Sequence, residues 1–120
     1  MRVGPGERYP ILWVFQKRYI PLEIIEEFGH WRKIRDYDGA EGWVHKSLLT
    51  GKRYGMVRAE RVILYEASDV QSSAVVRLAR GTLGRVLECA QDWCYVHVGG
   101  YKGWTPKTTL WGVYSHEVWE

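Results

Sequence analysis

The stretch PLEIIEEFGHWRKI, residues 21–34, recurs in the second half of the chain as LGRVLECAQDWCYV, residues 83–96. In both copies an alternation of apolar and polar residues leads into a short polar turn, which a tryptophan follows. A second match comes further along the chain, between GWVHKSLL at residues 42–49 and GWTPKTTL at residues 103–110, where the spacing is shorter by a single position. Self-similarity at a nearly fixed spacing is typical of a duplicated structural unit. The sequence therefore predicts two related units, with one loop that differs by a residue.

Each unit is predicted to be a small antiparallel β-barrel of five or six short strands. Residues 24–28 and 31–36 alternate as strands do on either side of a tight turn at Gly29-His30, which predicts a β-hairpin. The second copy of this hairpin has its turn at Gln91-Asp92. Short strands separated by frequent turn signals are typical of small barrels and sandwiches.

The unit boundaries follow from the repeat. We expect an all-β chain with one barrel in residues 1–57 and the other in residues 58–120, and a short polar linker within residues 51–61. Residues 72–80 have some helical potential but are equally compatible with a strand, so both interpretations stay open.

Composition supports this fold class and limits the function. Hydrophobic residues make up 46% of the chain and charged residues 26%, which excludes wholesale disorder. The 7 tryptophans, 8 tyrosines and 13 glycines are typical of strands and tight turns. No apolar run approaches the roughly 18 residues of a membrane-spanning helix, and the N-terminal residues lack the apolar stretch of a signal peptide, which leaves open that one was removed.

Charge is modest and uneven. The net charge of +3 is too small to indicate nucleic-acid binding by itself. Residues 1–57 carry ten basic and seven acidic side chains, whereas residues 58–120 carry seven of each. We therefore expect electrostatic attraction of an anionic ligand mainly at the first unit.

The repeated unit resembles the bacterial SH3-like (SH3b) domain. Each copy has a tryptophan that opens a middle strand and a Gly-Trp pair shortly after it. The stretch RVGPG at residues 2–6 is similar to a signature near the start of such domains, and ILYE at residues 63–66 and GWTP at residues 103–106 are similar to two segments of eukaryotic SH3 domains. The combination is most similar to tandem bacterial SH3-like proteins, which are usually exported.

The resemblance implies two SH3-like barrels and a binding or targeting role. In eukaryotic SH3 domains an aromatic-floored groove holds proline-rich peptides, and its tryptophan corresponds here to Trp31 or Trp93. Its tyrosine corresponds to Tyr65 and its proline to Pro106, with His45 in the place of that proline in the first unit. The aromatic residue expected three positions after the proline is replaced in both units, which counts against proline-rich ligands. Bacterial members bind cell-wall peptides or dock an attached catalytic domain.

Strand parity singles out one face of the first unit. Trp31, Lys33 and Arg35 alternate with the apolar Ile34, so they share a face if Ile34 points into the core. This row, with Tyr37 on a neighbouring loop, is suited either to stacking and binding a carboxylate or phosphate or simply to forming a solvated strand face. We predict that a ligand contacts the opening tryptophan of at least one unit, with the first unit favoured.

The repeated tryptophans form two pairs, Trp31 with Trp43 and Trp93 with Trp104. Because one aromatic side chain buries about 150–250 Å², a single tryptophan fills much of a small barrel. We expect one member of each pair in the core and the other partly exposed.

The two cysteines flank the second hairpin turn. A two-residue turn pairs Cys89 with Cys94 across the strands, where either a disulfide or two reduced thiols are compatible with the sequence. The equivalent residues of the first unit are Glu27 and Arg32, a pair of opposite charge. A disulfide would indicate an oxidising compartment.

Catalytic and metal-binding motifs are not recognised. The chain has no nucleophile elbow, phosphate loop or His-Glu-x-x-His, and its paired aspartates lie in a turn cluster, so an enzyme is not predicted. Cys89, Cys94, His97 and His116 include the right ligand types for zinc, but Cys94 and His97 are three apart on a strand and should face opposite sides. We predict no metal and no cofactor.

Three functions remain. The favoured one is a non-catalytic, exported module, periplasmic or extracellular, that binds a peptide, a protein or peptidoglycan. A second is a structural interaction protein whose two grooves are filled by the other unit or by a second copy. The third, and least favoured, is a small-barrel nucleic-acid-binding protein that uses the Trp31, Lys33 and Arg35 face.

Overall fold

The computed structural model describes residues 1–12, 14–15 and 19–119. They divide into two compact units, Met1–Gly51 and Lys52–Glu120. Strands, turns and two single 3₁₀ turns make up the described residues, among which no α-helix occurs. The predicted all-β class is confirmed.

The first unit is built on a three-stranded antiparallel sheet in the order β1-β2-β3. Its strands are β1 (Glu23–Phe28), β2 (Trp31–Arg35) and β3 (Glu41–His45), and a 3₁₀ turn at Lys46–Leu48 follows them. Arg2 forms isolated bridges to Ile11 and to Trp43 on β3.

The second unit contains a seven-stranded antiparallel sheet in the order β10-β4-β7-β8-β9-β5-β6. Its strands are β4 (Tyr54–Val57), β5 (Arg61–Tyr65), β6 (Ala74–Ala79), β7 (Leu83–Cys89), β8 (Trp93–Val98), β9 (Tyr101–Pro106) and β10 (Leu110–Trp111), with a 3₁₀ turn at Lys107–Thr109 before β10. Within residues 72–80, where a helix and a strand were both left open, the structure has the strand β6 and no helix. The described residues give three and seven strands in the two sheets, where five or six were expected in each barrel.

The boundary between the two units, after Gly51, falls within the linker predicted at residues 51–61, but that stretch also contains the strand β4. This short strand pairs with β7 on one side and with β10 on the other. Its Gly55, Met56 and Val57 are buried, so burial and two strand partners hold these residues in the second unit. Residues 52–57, which we assigned to the first unit, therefore lie in the second.

The hairpins β1–β2 and β7–β8 repeat each other in detail. Each has its turn where the sequence indicates, and each register shifts by one residue, between Ile24 and Glu26 in the first and between Val86 and Glu88 in the second. The spacing between these two bulges is the spacing of the sequence repeat. Register, bulge and turn are thus common to both units.

The core of the second unit is formed by aliphatic side chains and the two cysteines. It comprises Val57, Val62, Leu64, Leu78, Val86, Cys89, Cys94, Val96 and Leu110.

The expectation that one tryptophan of each repeated pair is buried in the core is wrong, since all four are only half-buried. Trp104 shows the reason: its neighbours Gly103 and Thr105 take the inward positions, and a Cβ at Gly103 would lie 2.7 Å from that of Leu64.

The C-terminal residues are fixed to the second unit by polar contacts. Arg53 forms a two-point ion pair with Glu117, at 2.6 and 2.7 Å, and its guanidinium lies 4.7 Å from the ring centre of Trp119. Lys107 is 5% exposed and donates its Nζ hydrogens to the carbonyls of Ser115 and Glu117. Residues 112–119 are therefore anchored rather than loosely attached.

Candidate functional site

The outer face of the first sheet carries the row that strand parity singled out. Ile34 is fully buried, and Trp31, Lys33 and Arg35 take the alternate positions of β2. Directly paired residues of neighbouring strands point to the same face. The outer face therefore consists of three cross-strand rows: Phe28–Trp31–His45, Glu26–Lys33–Trp43 and Glu23–Arg35–Glu41.

Carboxylates from both neighbouring strands form ion pairs with the two cations of this face. Arg35 contacts Glu23 and Glu41, each at 3.0 Å. Lys33 lies 3.9 Å from Glu26 and 3.7 Å from Glu41. Hydrogen bonds to Glu41 raise the pKa of Arg35 further above its usual range.

Two cations thus face three carboxylates on this surface. Lys33 and Arg35, which are expected from the sequence to attract an anionic ligand, each have an acidic partner that the cross-strand register supplies. The same pairing counts against a nucleic acid on this face, since phosphate binding needs uncompensated cations.

The other residues predicted for a site in the first unit do not all lie together. The ring of Trp31 packs edge-on against His45, with ring centres 5.4 Å apart. His45 is held in turn by Ser47, whose backbone N–H donates to its Nδ1. Tyr37 lies beyond the far end of β2, about 13 Å or more along the strand from Trp31 at ~3.3 Å per residue. The structure brings Trp31 and His45 together and leaves Tyr37 apart from them.

The outer face of the second sheet carries more aromatic surface. Tyr65 on β5, Trp93 and Tyr95 on β8, and Trp104 and Pro106 on β9 form what we term the aromatic strip. The register pairs Trp93 with Pro106, Tyr95 with Trp104, and Trp104 with Tyr65 on the next strand. Ring centres are 5.9 Å apart for Tyr65 and Trp93, which meet edge-on, and 5.1 Å apart for Tyr95 and Trp104. All five side chains are half-buried.

A family model described as the bacterial SH3 domain matches residues 1–51 and again residues 58–112. The two matches together cover most of the chain. The protein belongs to the bacterial SH3 domain family. It contains two such domains in tandem, in agreement with the repeat and with the resemblance drawn from the sequence.

A curated relative gives a second comparison. The chain is 25% identical over 128 residues to "Putative N-acetylmuramoyl-L-alanine amidase YrvJ" of Bacillus subtilis (strain 168). That alignment covers 92% of the chain and 24% of the relative. The chain therefore spans about a quarter of the length of the relative it matches.

The second SH3 domain assembles the residues that the resemblance assigned to a groove. Tyr65, Trp93 and Pro106 come from three strands and meet at one end of the strip. Sequence reasoning missed Tyr95, and it favoured Trp93 over Trp104 as the exposed member of the pair. The sequence did contain a signal for Tyr95, because this residue has the same strand parity as Trp93. The register of the β8–β9 hairpin then places Tyr95 directly opposite Trp104.

The cysteines and histidines of the second domain do not converge. Cys89 and Cys94 are joined by a disulfide and lie in the core. His97 is on the opposite face of β8 from Cys94, and the ring of His116 stacks on Tyr114. Within the described part of the chain, no group of three potential metal-ligating side chains occurs. That part of the chain also contains no helix of the length and apolarity that crossing a bilayer requires.

Proposed function

We propose that this protein is a non-catalytic binding module that holds a component of the bacterial cell wall on the aromatic strip of its second domain. The strip itself is the observation that carries the proposal. Tyr65, Trp93, Tyr95 and Trp104 place four rings side by side on one outer surface, with Pro106 beside them. Aromatic faces stack on apolar faces of sugars and peptides, and their hydroxyl and indole groups add directional hydrogen bonds.

Cell-wall material is the favoured ligand on two grounds. A relative over most of this chain carries a name that refers to cleavage of N-acetylmuramoyl-L-alanine linkages, which are bonds of the cell wall. The disulfide between Cys89 and Cys94 is suited to an oxidising compartment, because cytosolic thiols are kept reduced. We accordingly place the protein outside the cytoplasm, in the periplasm or the extracellular space.

Co-sedimentation with purified peptidoglycan tests this function. Trp93→Ala and Trp104→Ala each remove one ring of the strip, and a stacked ring is worth ~1–3 kcal/mol, so binding should weaken by about ten- to a hundred-fold. Trp31→Ala removes the equivalent ring of the first domain and is the matched control. Equal melting temperatures would show that the three variants are folded.

Three outcomes would contradict the proposal. Unchanged binding by both folded strip variants would remove the site from the second domain. A loss confined to Trp31→Ala would move it to the first domain. Release of soluble wall fragments by the wild-type protein, with no enzyme added, would show that the module is catalytic.

A further inference from the structure

A row of three basic side chains borders the aromatic strip. The register pairs His97 on β8 with Arg85 on β7 and with Lys102 on β9, so the three stand side by side across the sheet. Directly opposed Cβ atoms are about 4.5–5.5 Å apart, which lets these side chains converge on a single ligand group. Arg85 and Lys102 are exposed and His97 is half-buried between them. We call these residues the basic row.

The first domain has an ion-pair network at the same three positions. At the spacing of the sequence repeat, Glu23, Arg35 and Glu41 are the equivalents of Arg85, His97 and Lys102. There the central arginine contacts both glutamates at 3.0 Å. The outer two positions are thus acidic and satisfied in one domain and basic in the other.

The basic row has no acidic partner of this kind. None of the ion pairs among the described residues involves Arg85, His97 or Lys102. The carboxylate nearest in the register is Glu88, which pairs with Tyr95 one row away and forms none of these contacts. Arg85 and Lys102 therefore stand on either side of His97 without a carboxylate paired to them in the described part of the chain, which leaves both cations available to an anion.

The row is also correctly placed to act together with the strip. Tyr95 precedes His97 by two positions on β8, and Trp104 follows Lys102 by two positions on β9. Two residues along a strand span about 7 Å and return to the same face. A ligand stacked on Tyr95 and Trp104 therefore brings a group about 7 Å away over the basic row.

We propose that the basic row binds an oxyanion of the ligand that the aromatic strip holds. This inference rests on the proposed function and names the chemical class of its ligand: a compound with an apolar sugar or peptide face and, about 7 Å from it, a carboxylate or a phosphate. Both anions occur as groups on wall polymers, and the experiment below distinguishes them. The first domain, whose equivalent arginine is already held by two carboxylates, does not share this preference.

The test exchanges the charges of the row for those of the first domain. Arg85→Glu combined with Lys102→Glu installs the acidic residues of positions 23 and 41. Arg77→Glu combined with Arg80→Glu alters two exposed arginines elsewhere in the same domain and changes the net charge by the same amount. Tryptophan fluorescence follows the binding of three probes: a disaccharide tripeptide with free carboxylates, the same compound with its carboxylates amidated, and poly(glycerol phosphate).

We expect binding to weaken only in the row variant and only for the probe that carries free carboxylates. The row variant should bind the free-carboxylate probe at least ten-fold more weakly than the wild type, and the control variant less than two-fold. Amidation should weaken wild-type binding to a similar extent and should remove the difference between the row variant and the wild type. Added salt should weaken binding of the anionic probe more than that of the amidated one.

The remaining outcomes separate the two proposals. Row-dependent binding of poly(glycerol phosphate), with the carboxylate probe unbound, would support the row and identify phosphate as its anion. Equal wild-type affinity for the free and amidated probes, unaffected by the row variant but lost in Trp104→Ala, would overturn the anion site and leave the proposed function intact. If Trp104→Ala also bound every probe as the wild type does, the proposed function would fail as well.

Discussion

Ile24 and Val86 occupy equivalent positions, each immediately before the bulge of its hairpin, yet Ile24 is 49% exposed and Val86 only 3%. The difference comes from β4. This strand pairs with β7, and its Gly55 lies so close that an added Cβ would be 3.2 Å from a methyl group of Val86. Among the described residues of the first domain, no named strand pairs with the corresponding edge of β1. Equivalent sequence positions thus have different roles in the two domains.

Truncation at these two positions should have unequal effects on stability. Val86→Ala removes two buried methyl groups and leaves a cavity, so it should lower the free energy of unfolding by about 2 kcal/mol. Ile24→Ala removes exposed surface and should change it by less than about 0.5 kcal/mol. Denaturant unfolding followed by tryptophan fluorescence measures both variants. Equal losses would show that Ile24 is covered in solution.

Reduction of the Cys89–Cys94 disulfide should destabilise the second domain. The bond closes a short loop, for which the chain-entropy model gives about 2 kcal/mol. Thermal melting with and without a phosphine reductant measures this effect, and Cys89→Ala combined with Cys94→Ala provides a protein that the reductant should not affect. Two titratable thiols in protein produced under oxidising conditions would contradict the disulfide.

The equivalent pair of the first domain, Glu27 and Arg32, is a partly exposed ion pair 3.3 Å apart, so its removal should lower the free energy of unfolding by less than about 1 kcal/mol.

The Arg53–Glu117 ion pair should make stability depend on pH in the acid range. Hydrogen bonds from Arg53 lower the pKa of Glu117 below its ordinary value of 4.5, and the backbone N–H of Tyr114 acts in the same direction. A carboxylate with a lowered pKa in the folded state stabilises the fold above its unfolded pKa, and this contribution is lost as the pH falls through the folded value. Glu117→Gln should therefore lower the melting temperature at pH 7, and its difference from the wild type should shrink below about pH 4.5.

A double-variant cycle checks the cause of that pH dependence. In an Arg53→Gln background, Glu117→Gln should produce a much smaller change, because its hydrogen-bonding partner is already gone. An undiminished effect in that background would attribute the pH dependence to the Tyr114 contact instead.

Lys107 should be needed for stability although its equivalent in the first domain is not. Lys107→Met keeps the length of the side chain but leaves the carbonyls of Ser115 and Glu117 without their donor, which should cost about 1–3 kcal/mol. Lys46→Met changes an exposed side chain at the equivalent position and should have little effect. Similar melting temperatures for the two variants would show that the buried lysine does not anchor residues 112–119.

Local patterns in the sequence predict much of this fold. The repeat located both hairpins and their turns, and the alternation around Ile34 placed Trp31, Lys33 and Arg35 on one face. The pairing of Cys89 with Cys94 follows from the turn length alone. These features depend on residues that are near one another in the chain.

What could not be predicted depends on strands that are distant in sequence. β4 is a short strand between polar neighbours, and its burial is evident only once β7 and β10 flank it. The acidic partners of Arg35 come from two other strands, so they become visible only when both registers are known. The burial of the tryptophans could not be predicted from residue size, because strand parity decides which side chains point into the core.

The repeated bulge gives the outer faces of the two hairpins one common layout. Ile25 and Leu87 are the extra residues, and since both hairpins shift register at the same point, residues 23–35 and 85–97 present their side chains in the same order on the same faces. Exchange of the outward-facing side chains alone would carry one surface chemistry from one domain to the other without altering a strand register. The inward positions are not exchangeable, because Glu27 and Arg32 stand where Cys89 and Cys94 lie in the core of the second domain. The duplication has thus produced a scaffold on which recognition surfaces can diverge, or be redesigned, one hairpin at a time.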